Sequence, residues 1–181
     1  MNDKLTDYIK VYGDVLSESA CKAIIDTFEA HRENVEYYDT DLYKFNQLEL
    51  NRVPDLHNLT MSVAQRIKPF YQDYFHSLGM DQFVDMDKWE AIRIKKYLKG
   101  TDEQFKLHVD VTDHASAARF AVAILYLNDN DGYTAFPSLG VAVEPKPGRL
   151  IIFPPTWQYP HYGAKPTNND KYILMTCLHY K

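Results

Sequence analysis

The sequence has little of what marks disulfide-rich, membrane-spanning or secreted proteins. Only two of its 181 residues are cysteines, Cys21 and Cys177, and they lie in distant parts of the chain. They could form one disulfide, but the simpler interpretation is two reduced, buried thiols in a cytoplasmic protein. No apolar run approaches the roughly 20 residues that a membrane span needs. The charges spread through "MNDKLTDYIK" argue against a signal peptide.

Positive charge is also in short supply. Lys and Arg number 20 against 25 Asp and Glu, and the formal net charge is -5. Nucleic acids and anionic membranes attract proteins through basic surfaces, so this balance argues against both as partners. Internal repeats, low-complexity tracts and linkers are missing as well. We therefore expect a single domain spanning residues 1–181.

Aromatic residues are abundant, with 14 Tyr and 9 Phe, and tyrosine suits half-buried strands and cavity walls. The first half of the chain predicts two helices. One begins after an N-cap at Ser17, and the other lies within residues 54–79, where Pro69 interrupts or kinks it and Gly79 ends it. The tyrosine-rich segment between them, "NVEYYDTDLYKFNQLELN", is interpreted as irregular.

From Trp89 onward the pattern changes to short apolar runs separated by turn signals. The seven predicted strands are "WEAIRIKKYL", "FKLHVDV", "RFAVAILYLN", "YTAFP", "VAVEP", "GRLIIFP" and "KYILMTCLHY". Helices followed by strands, without βαβ alternation, predict an α+β, mainly β fold. We expect an antiparallel sandwich or barrel over about 88–181, supported by a helical part over about 15–80.

One strand ends in a pair of residues with metal-ligand chemistry, His108 and Asp110. Residues two apart on a strand point to the same face, so both could point into a barrel. Imidazole and carboxylate are good ligands for first-row divalent metals, and a non-haem iron site needs a second histidine. His161, at the start of a further strand, is the best candidate, and His179 is its chief rival.

Lys171 follows His161 by ten residues and begins the last predicted strand. A lysine that points into a barrel is costly unless an anion pairs with it. A cosubstrate that carries a carboxylate would supply that anion. Alternation along the strand would then bury Cys177 on the same face as Lys171.

The ordered set of His108-Val109-Asp110, His161 and Lys171 resembles the Fe(II)- and 2-oxoglutarate-dependent dioxygenases, most closely their prolyl 4-hydroxylase branch. "IRIKKYLKG", "RFAVAILYLND", "DGYTAFP" and "PKPGRLIIF" resemble further segments of that branch in the same order. The chain departs from the branch where Asp131-Gly132 replaces a glycine pair and Val122 replaces a threonine.

This resemblance implies a double-stranded β-helix, or jelly roll, and a hydroxylase of unactivated C–H bonds. It implies Fe(II), 2-oxoglutarate and O2 as requirements, with ascorbate as an accessory. The metal ligands and catalytic residues would be His108, Asp110 and His161. Lys171, Tyr126 and Tyr97 would bind the cosubstrate, with Tyr97 near the metal, and Arg119 would face the substrate at the cavity mouth.

The expected substrate is a peptide or protein side chain, with proline as the first candidate. Two alternatives stay open: a small-molecule or nucleobase oxygenase on the same scaffold, and a barrel that binds a metal without turnover. By position alone, segments 35–45 and 111–118 are candidates for a lid over the substrate.

Overall fold

A computed structural model describes residues 4–180 of the chain. Two helices, α1 (Glu18–Ala30) and α2 (His57–Leu78), accompany twelve strands. The strands are β1 (Lys10–Tyr12), β2 (Glu36–Asp39), β3 (Tyr43–Glu49), β4 (Val84–Trp89), β5 (Arg93–Tyr97), β6 (Gln104–His108), β7 (Arg119–Tyr126), β8 (Thr134–Phe136), β9 (Val141–Val143), β10 (Leu150–Phe153), β11 (His161–Gly163) and β12 (Lys171–Tyr180).

The strands form one curled antiparallel sheet. Its order is β1-β10-β7-β12-β5-β3-β6-β11-β8-β9, with β2 added beside β3 and β4 beside β12. The two halves of the sheet face each other across an aromatic interior, where the rings of Phe136 on β8 and Phe153 on β10 have centroids 4.9 Å apart. The prediction of a mainly β jelly roll with supporting helices is confirmed.

The central strands separate two hydrophobic cores. On β7, Ala123 and Leu125 pack toward the helices, whereas Ile124 and Tyr126 point into the curled sheet. On β12, Leu174 packs toward the helices in the same way. Because both faces of these strands are buried, their sequences are continuous apolar runs instead of alternating ones.

The helix boundaries follow the predicted signals. The hydroxyl of Ser17 accepts a hydrogen bond from the amide of Ala20, and Gly79 ends α2 in the left-handed region, with φ of 67°. Of the two alternatives for Pro69, the interruption is wrong, because α2 continues through it, and the kink stays a prediction. Proline removes one hydrogen bond from the helix, but buried side chains on both sides of it, including Ile67 and Tyr71, anchor α2 to the core.

The prediction of an irregular segment between the helices is also wrong. Residues 36–49 form the β2–β3 hairpin, and β3 pairs with both β5 and β6. The other strands absent from the seven predicted are β1, β4 and β11, of which β11 begins at His161 as anticipated. Cys21 and Cys177 are buried free thiols, as expected. Neither α1 nor α2 combines the length and hydropathy that crossing a bilayer requires.

Candidate metal centre

His108 and His161 lie directly opposite each other on paired strands. The antiparallel pairing of β6 with β11 puts these two residues in register, and their ring centroids are 4.2 Å apart. Opposed residues in a sheet have neighbouring side chains, so the pairing itself brings together two imidazoles that are 53 positions apart in sequence. One ligand atom from each of His108, Asp110 and His161 lies within 4.8 Å of the others.

Asp110 reaches this group from a bend beyond the end of β6, whereas the sequence placed it on the strand with His108. Three hydrogen bonds fix the bend. The amides of Asp110 and Val111 donate to the carbonyl of Pro155 at 3.0 and 3.1 Å, and the Nη1 of Arg119 donates to the Asp110 carbonyl at 2.6 Å.

Both imidazoles are oriented by backbone carbonyls. Nδ1 of His108 lies 2.8 Å from the Lys106 carbonyl, and Nδ1 of His161 lies 3.1 Å from the Tyr159 carbonyl. Since a carbonyl can only accept, each Nδ1 carries a hydrogen, which leaves Nε2 as the ring nitrogen that could bind a metal. The Nε2 atoms lie 3.8 and 3.5 Å from the Asp110 carboxylate. This backbone support is typical of histidines that bind metals.

The electrostatics of the group fit a cation. Burial alone would raise the pKa of Asp110, but the neighbouring imidazoles of His108 and His161 outweigh it and hold this pKa below its ordinary value. Burial lowers the pKa of His161 to about 4, so this imidazole is neutral at neutral pH. Among the described residues, the Oδ2 of Asp110 is a buried oxygen without a hydrogen-bond partner. A divalent cation would satisfy that oxygen, and two imidazoles with one carboxylate are a donor set for such metals.

A cavity extends from the triad into the curled sheet. It is lined beyond the triad by Lys95, Tyr97, Phe105, Ile124, Thr134, Gly163, Lys171, Ile173 and Met175. The ammonium of Lys171, a residue only 2% exposed, belongs to this lining.

Lys171 points inward, as predicted. Burial lowers the pKa of Lys171 to about 7, and no acidic side chain in residues 4–180 pairs with its ammonium. Tyr97 is its cross-strand partner, and the Lys171 Nζ lies 5.3 Å from the centre of that ring. Tyr97 therefore lies beside Lys171 in the cavity, and its contact with a cosubstrate near the metal stays a prediction.

Tyr126 occupies a different position from the one expected. Its buried hydroxyl donates to the Oγ1 of Thr134 at 2.7 Å, and Thr134, not Tyr126, lines the cavity. Any contact of Tyr126 with a cosubstrate would therefore pass through the Thr134 hydroxyl. Sequence reasoning missed Thr134.

Arg119 borders a second, outer cleft that adjoins the triad. Its guanidinium is already engaged. Nε lies 2.5 Å from the Glu90 carboxylate, and Nη1 binds the Asp110 carbonyl. The structure thus places Arg119 behind Asp110 as a support. His179 also binds Glu90, at 3.1 Å, so the rival ligand is outside the triad.

Both lid candidates contribute to the outer cleft. Tyr38, Leu42 and Tyr43 from segment 35–45 line it, as does Thr112 from segment 111–118. The first segment belongs to the β2–β3 hairpin, and the second is held by hydrogen bonds between Asp113 and Ser116. Closure of either segment over a substrate stays a prediction.

Sequence reasoning also missed Lys95, which lines both the inner cavity and the outer cleft. The signal was available in "RIKKYL". If Tyr97 points inward, strand alternation turns Lys95 inward and Lys96 outward.

Comparison with known proteins agrees with this architecture. Residues 92–179 match the family model described as the 2OG-Fe(II) oxygenase superfamily. No curated protein matches the chain.

Three solved structures share the fold. The viral collagen prolyl hydroxylase from Paramecium Bursaria Chlorella virus-1 has a TM-score of 0.72 and 20% identity, over 94% of this chain and 95% of that one. A Pseudomonas putida prolyl-4-hydroxylase has a TM-score of 0.69 and 14% identity, over 96% and 93%. The Trichoplax adhaerens prolyl hydroxylase, in complex with a hypoxia inducible factor peptide fragment, has a TM-score of 0.76 and 12% identity, over 96% and 84%.

The matched segment includes the triad, Lys171 and most of the curled sheet. Residues 92–179 thus match the 2OG-Fe(II) oxygenase superfamily, whose dioxygenases require Fe(II), 2-oxoglutarate and O2.

Proposed function

We propose that the protein hydroxylates prolyl residues in a peptide or protein, with His108, Asp110 and His161 as the ligands of Fe(II). One observation carries the assignment of the ligands. A buried imidazole, a half-buried imidazole and a buried carboxylate with a partnerless oxygen meet in a cavity that also contains a buried ammonium. Ligands from two paired strands and one braced bend supply a rigid site, and rigid support is what a metal centre needs.

Lys171 would bind the far carboxylate of 2-oxoglutarate. A buried ammonium without an anion is costly, and a carboxylate bound there would recover that cost through a charge-assisted hydrogen bond. Thr134 and Tyr97 line the same cavity and can donate hydroxyl hydrogens. Ile124, Ile173 and Met175 supply apolar walls that exclude water.

Bound Fe(II) and 2-oxoglutarate supply the oxidising chemistry: O2 and the cosubstrate give succinate and carbon dioxide, and a C–H bond of the substrate becomes C–OH. The protein binds both groups, orients them and keeps the site dry.

The outer cleft would take the substrate. It opens beside His108 and Asp110, and aromatic rings of Tyr38, Tyr43 and Phe105 line it. Such rings suit the apolar face of a proline. The three similar structures are described as prolyl hydroxylases, and one contains a bound peptide, which supports a peptide as the substrate class.

The experiment follows succinate release from a panel of proline-containing peptides, with mass spectrometry of the products. We expect succinate and a matching gain of one oxygen on proline. His108→Ala and Asp110→Ala should abolish both products, whereas the control His57→Ala, at the exposed start of α2, should leave them unchanged. Turnover of a small molecule or nucleobase in place of every peptide would contradict the proposal, and so would full activity of the triad variants.

A further inference from the structure

Lys95 is a buried cation with no acidic partner. It is 6% exposed, and within residues 4–180 no carboxylate lies within ion-pair distance of its ammonium. Its Nζ lies over two aromatic rings, 4.3 Å from the centre of Phe45 and 5.3 Å from that of Phe105. Cation–π contacts stabilise an ammonium but replace only part of the hydration that burial removes.

The position of Lys95 separates it from the cosubstrate end of the cavity. On β5, Lys95 shares its face with Tyr97, which lies opposite Lys171, and with Arg93, which lies in the outer cleft. Two residues along a strand correspond to roughly 6.5–7 Å. The ammonium of Lys95 therefore faces the space where the inner cavity meets the outer cleft, beside the triad.

The other basic side chains of the outer cleft already have acidic partners. Arg93 pairs with Glu49 and Glu90 at 3.5 and 3.2 Å, and Arg119 pairs with Glu90. Among the described lysines and arginines that line the cleft, this leaves Lys95 as the one without a carboxylate.

Charge counting points the same way. When both lysines are protonated, Fe(II), Asp110, Lys95 and Lys171 together carry three positive charges, and 2-oxoglutarate brings two negative ones. With both groups bound, one positive charge stays unbalanced in a largely buried space, and Lys95 on the substrate side is where an anion can reach it.

We propose that Lys95 binds a carboxylate of the substrate, so that the preferred substrate is a peptide with a carboxylate beside the target residue. This inference rests on the proposed function and specifies its substrate class. The carboxylate could be an Asp or Glu side chain next to the proline or the C-terminus of the peptide. Both sources offer the same chemistry to the ammonium, and the experiment separates them.

The test uses fluorescent peptides and the anaerobic Fe(II)–2-oxoglutarate protein, with binding followed by anisotropy. One matched pair is Gly-Ala-Pro-Asp-Gly-amide against Gly-Ala-Pro-Asn-Gly-amide, and the other is Gly-Ala-Pro with a free or an amidated C-terminus. We expect the acidic member of at least one pair to bind roughly tenfold more tightly than its neutral match. Equal binding within both pairs would overturn the inference.

Two variants separate charge from packing. Lys95→Met keeps the apolar stem and should abolish the preference for the acidic peptide, while Lys95→Arg should retain it. The control Lys96→Met changes the adjacent lysine, which points away from the cavity and pairs with Glu29 and Asp170, and should also retain it. Removal of a buried, unpaired charge should leave the melting temperature of Lys95→Met at or above that of the wild type.

The affinity for 2-oxoglutarate decides whether Lys95 serves the cosubstrate instead. We expect the dissociation constant to change by less than about threefold in Lys95→Met, and a larger loss would overturn the inference. Failure of the proposed function looks different. If acidic peptides bind through Lys95 but proline gains no oxygen, the prolyl assignment fails and the Lys95 site stands. If proline is hydroxylated but acidic and neutral peptides bind equally well, the prolyl assignment stands and the Lys95 site fails.

Discussion

At the scale of single residues, each of the three ligand residues is hydrogen-bonded to the protein through some of its polar atoms, and its other polar atoms are left to bind a metal. The histidines use Nδ1 on backbone carbonyls and present Nε2 to the Asp110 carboxylate. The backbone of Asp110 is hydrogen-bonded to the Pro155 carbonyl and to the Arg119 guanidinium, whereas its Oδ2 has no hydrogen-bond partner among the described residues. Each ligand is thus fixed before any metal arrives, which lowers the cost of binding it.

The titration of Lys171 should make cosubstrate binding depend on pH. Its pKa is about 7 because of burial, and only the protonated form attracts a carboxylate. The dissociation constant for 2-oxoglutarate should therefore be constant below about pH 7 and rise by up to tenfold per pH unit above it. Titration of the anaerobic Fe(II) protein, followed by its visible absorption, measures this constant.

Lys171→Met provides the comparison. It should bind 2-oxoglutarate roughly 10–100-fold more weakly at pH 6, because it lacks a charge-assisted hydrogen bond. Its affinity should also lose the inflection near pH 7. If wild type and variant showed the same pH profile, Lys171 would not be the anion partner.

Arg119 should act on the metal through Asp110. Arg119→Met removes the donor to the Asp110 carbonyl, and we expect Fe(II) affinity to fall by roughly 10-fold, the lower range for groups that orient ligands. Arg93→Met is the matched control, since Arg93 also pairs with Glu90 but makes no hydrogen bond to Asp110. Competition against a metal chelator measures both affinities, and equal losses in the two variants would refute this role.

At the scale of elements, the pairing of short strands determines what sequence reasoning could find. The signals of Ser17 and Gly79 are local, and several of the predicted strands, such as β7, β10 and β12, are strongly apolar, so these were identified. Strand β3 was missed because Lys44, Asn46 and Gln47 make its sequence polar, and its position depends on pairing with β5 and β6.

The same limit applies to the site. The triad and Lys171 were identifiable from residue type, order and spacing. The contact of Tyr126 with Thr134 and that of Arg119 with Asp110 arise from packing between distant segments, and no spacing encodes them. Lys95 and Lys96 look like ordinary surface lysines unless Tyr97 is known to point inward, in which case strand alternation turns Lys95 inward as well.

Gly132, in the turn before β8, lets the backbone there pass close to the side chain of Lys171. A Cβ at this position would lie 2.8 Å from the Ala164 carbonyl oxygen and 3.1 Å from the Cδ of Lys171. We expect Gly132→Ala to displace Lys171, weaken 2-oxoglutarate binding several-fold and cost about 1–3 kcal/mol of stability.

Gly13→Ala is the control for that change, because a Cβ at Gly13 meets nothing within 4 Å. Cosubstrate titration and denaturant unfolding of both variants provide the measurements. Wild-type affinity in Gly132→Ala would show that the turn tolerates the methyl group and that Lys171 does not depend on it.

At the scale of the whole molecule, the sheet divides stability from chemistry. The core between the helices and the sheet contains no member of the triad, whereas the interior of the curled sheet contains the cavity. Strands β7 and β12 contribute to both cores, so the site lies on the opposite face of strands that also pack against the helices.

A cavity created by mutation in the core between the helices and the sheet should therefore lower the free energy of unfolding without altering the site. Ile67 on α2 is fully buried, and Ile67→Ala should cost about 2–5 kcal/mol of unfolding free energy. The affinity of the folded protein for 2-oxoglutarate should stay within about twofold of wild type. Met61→Ala, on the exposed side of the same helix, should cost less than about 0.5 kcal/mol. A large loss of affinity in Ile67→Ala would show that the two cores are coupled.

The position of β3 has a consequence for any attempt to isolate the segment that carries the triad. Residues 92–179 contain β5 and β6 but not the strand that lies between them. Excising that segment would leave two bare strand edges, whose unpaired amides and carbonyls attract other chains. The same cut would remove Phe45 from beside Lys95. The N-terminal β2–β3 hairpin thus completes the wall around an inner cavity whose lining residues all come from the C-terminal half of the chain.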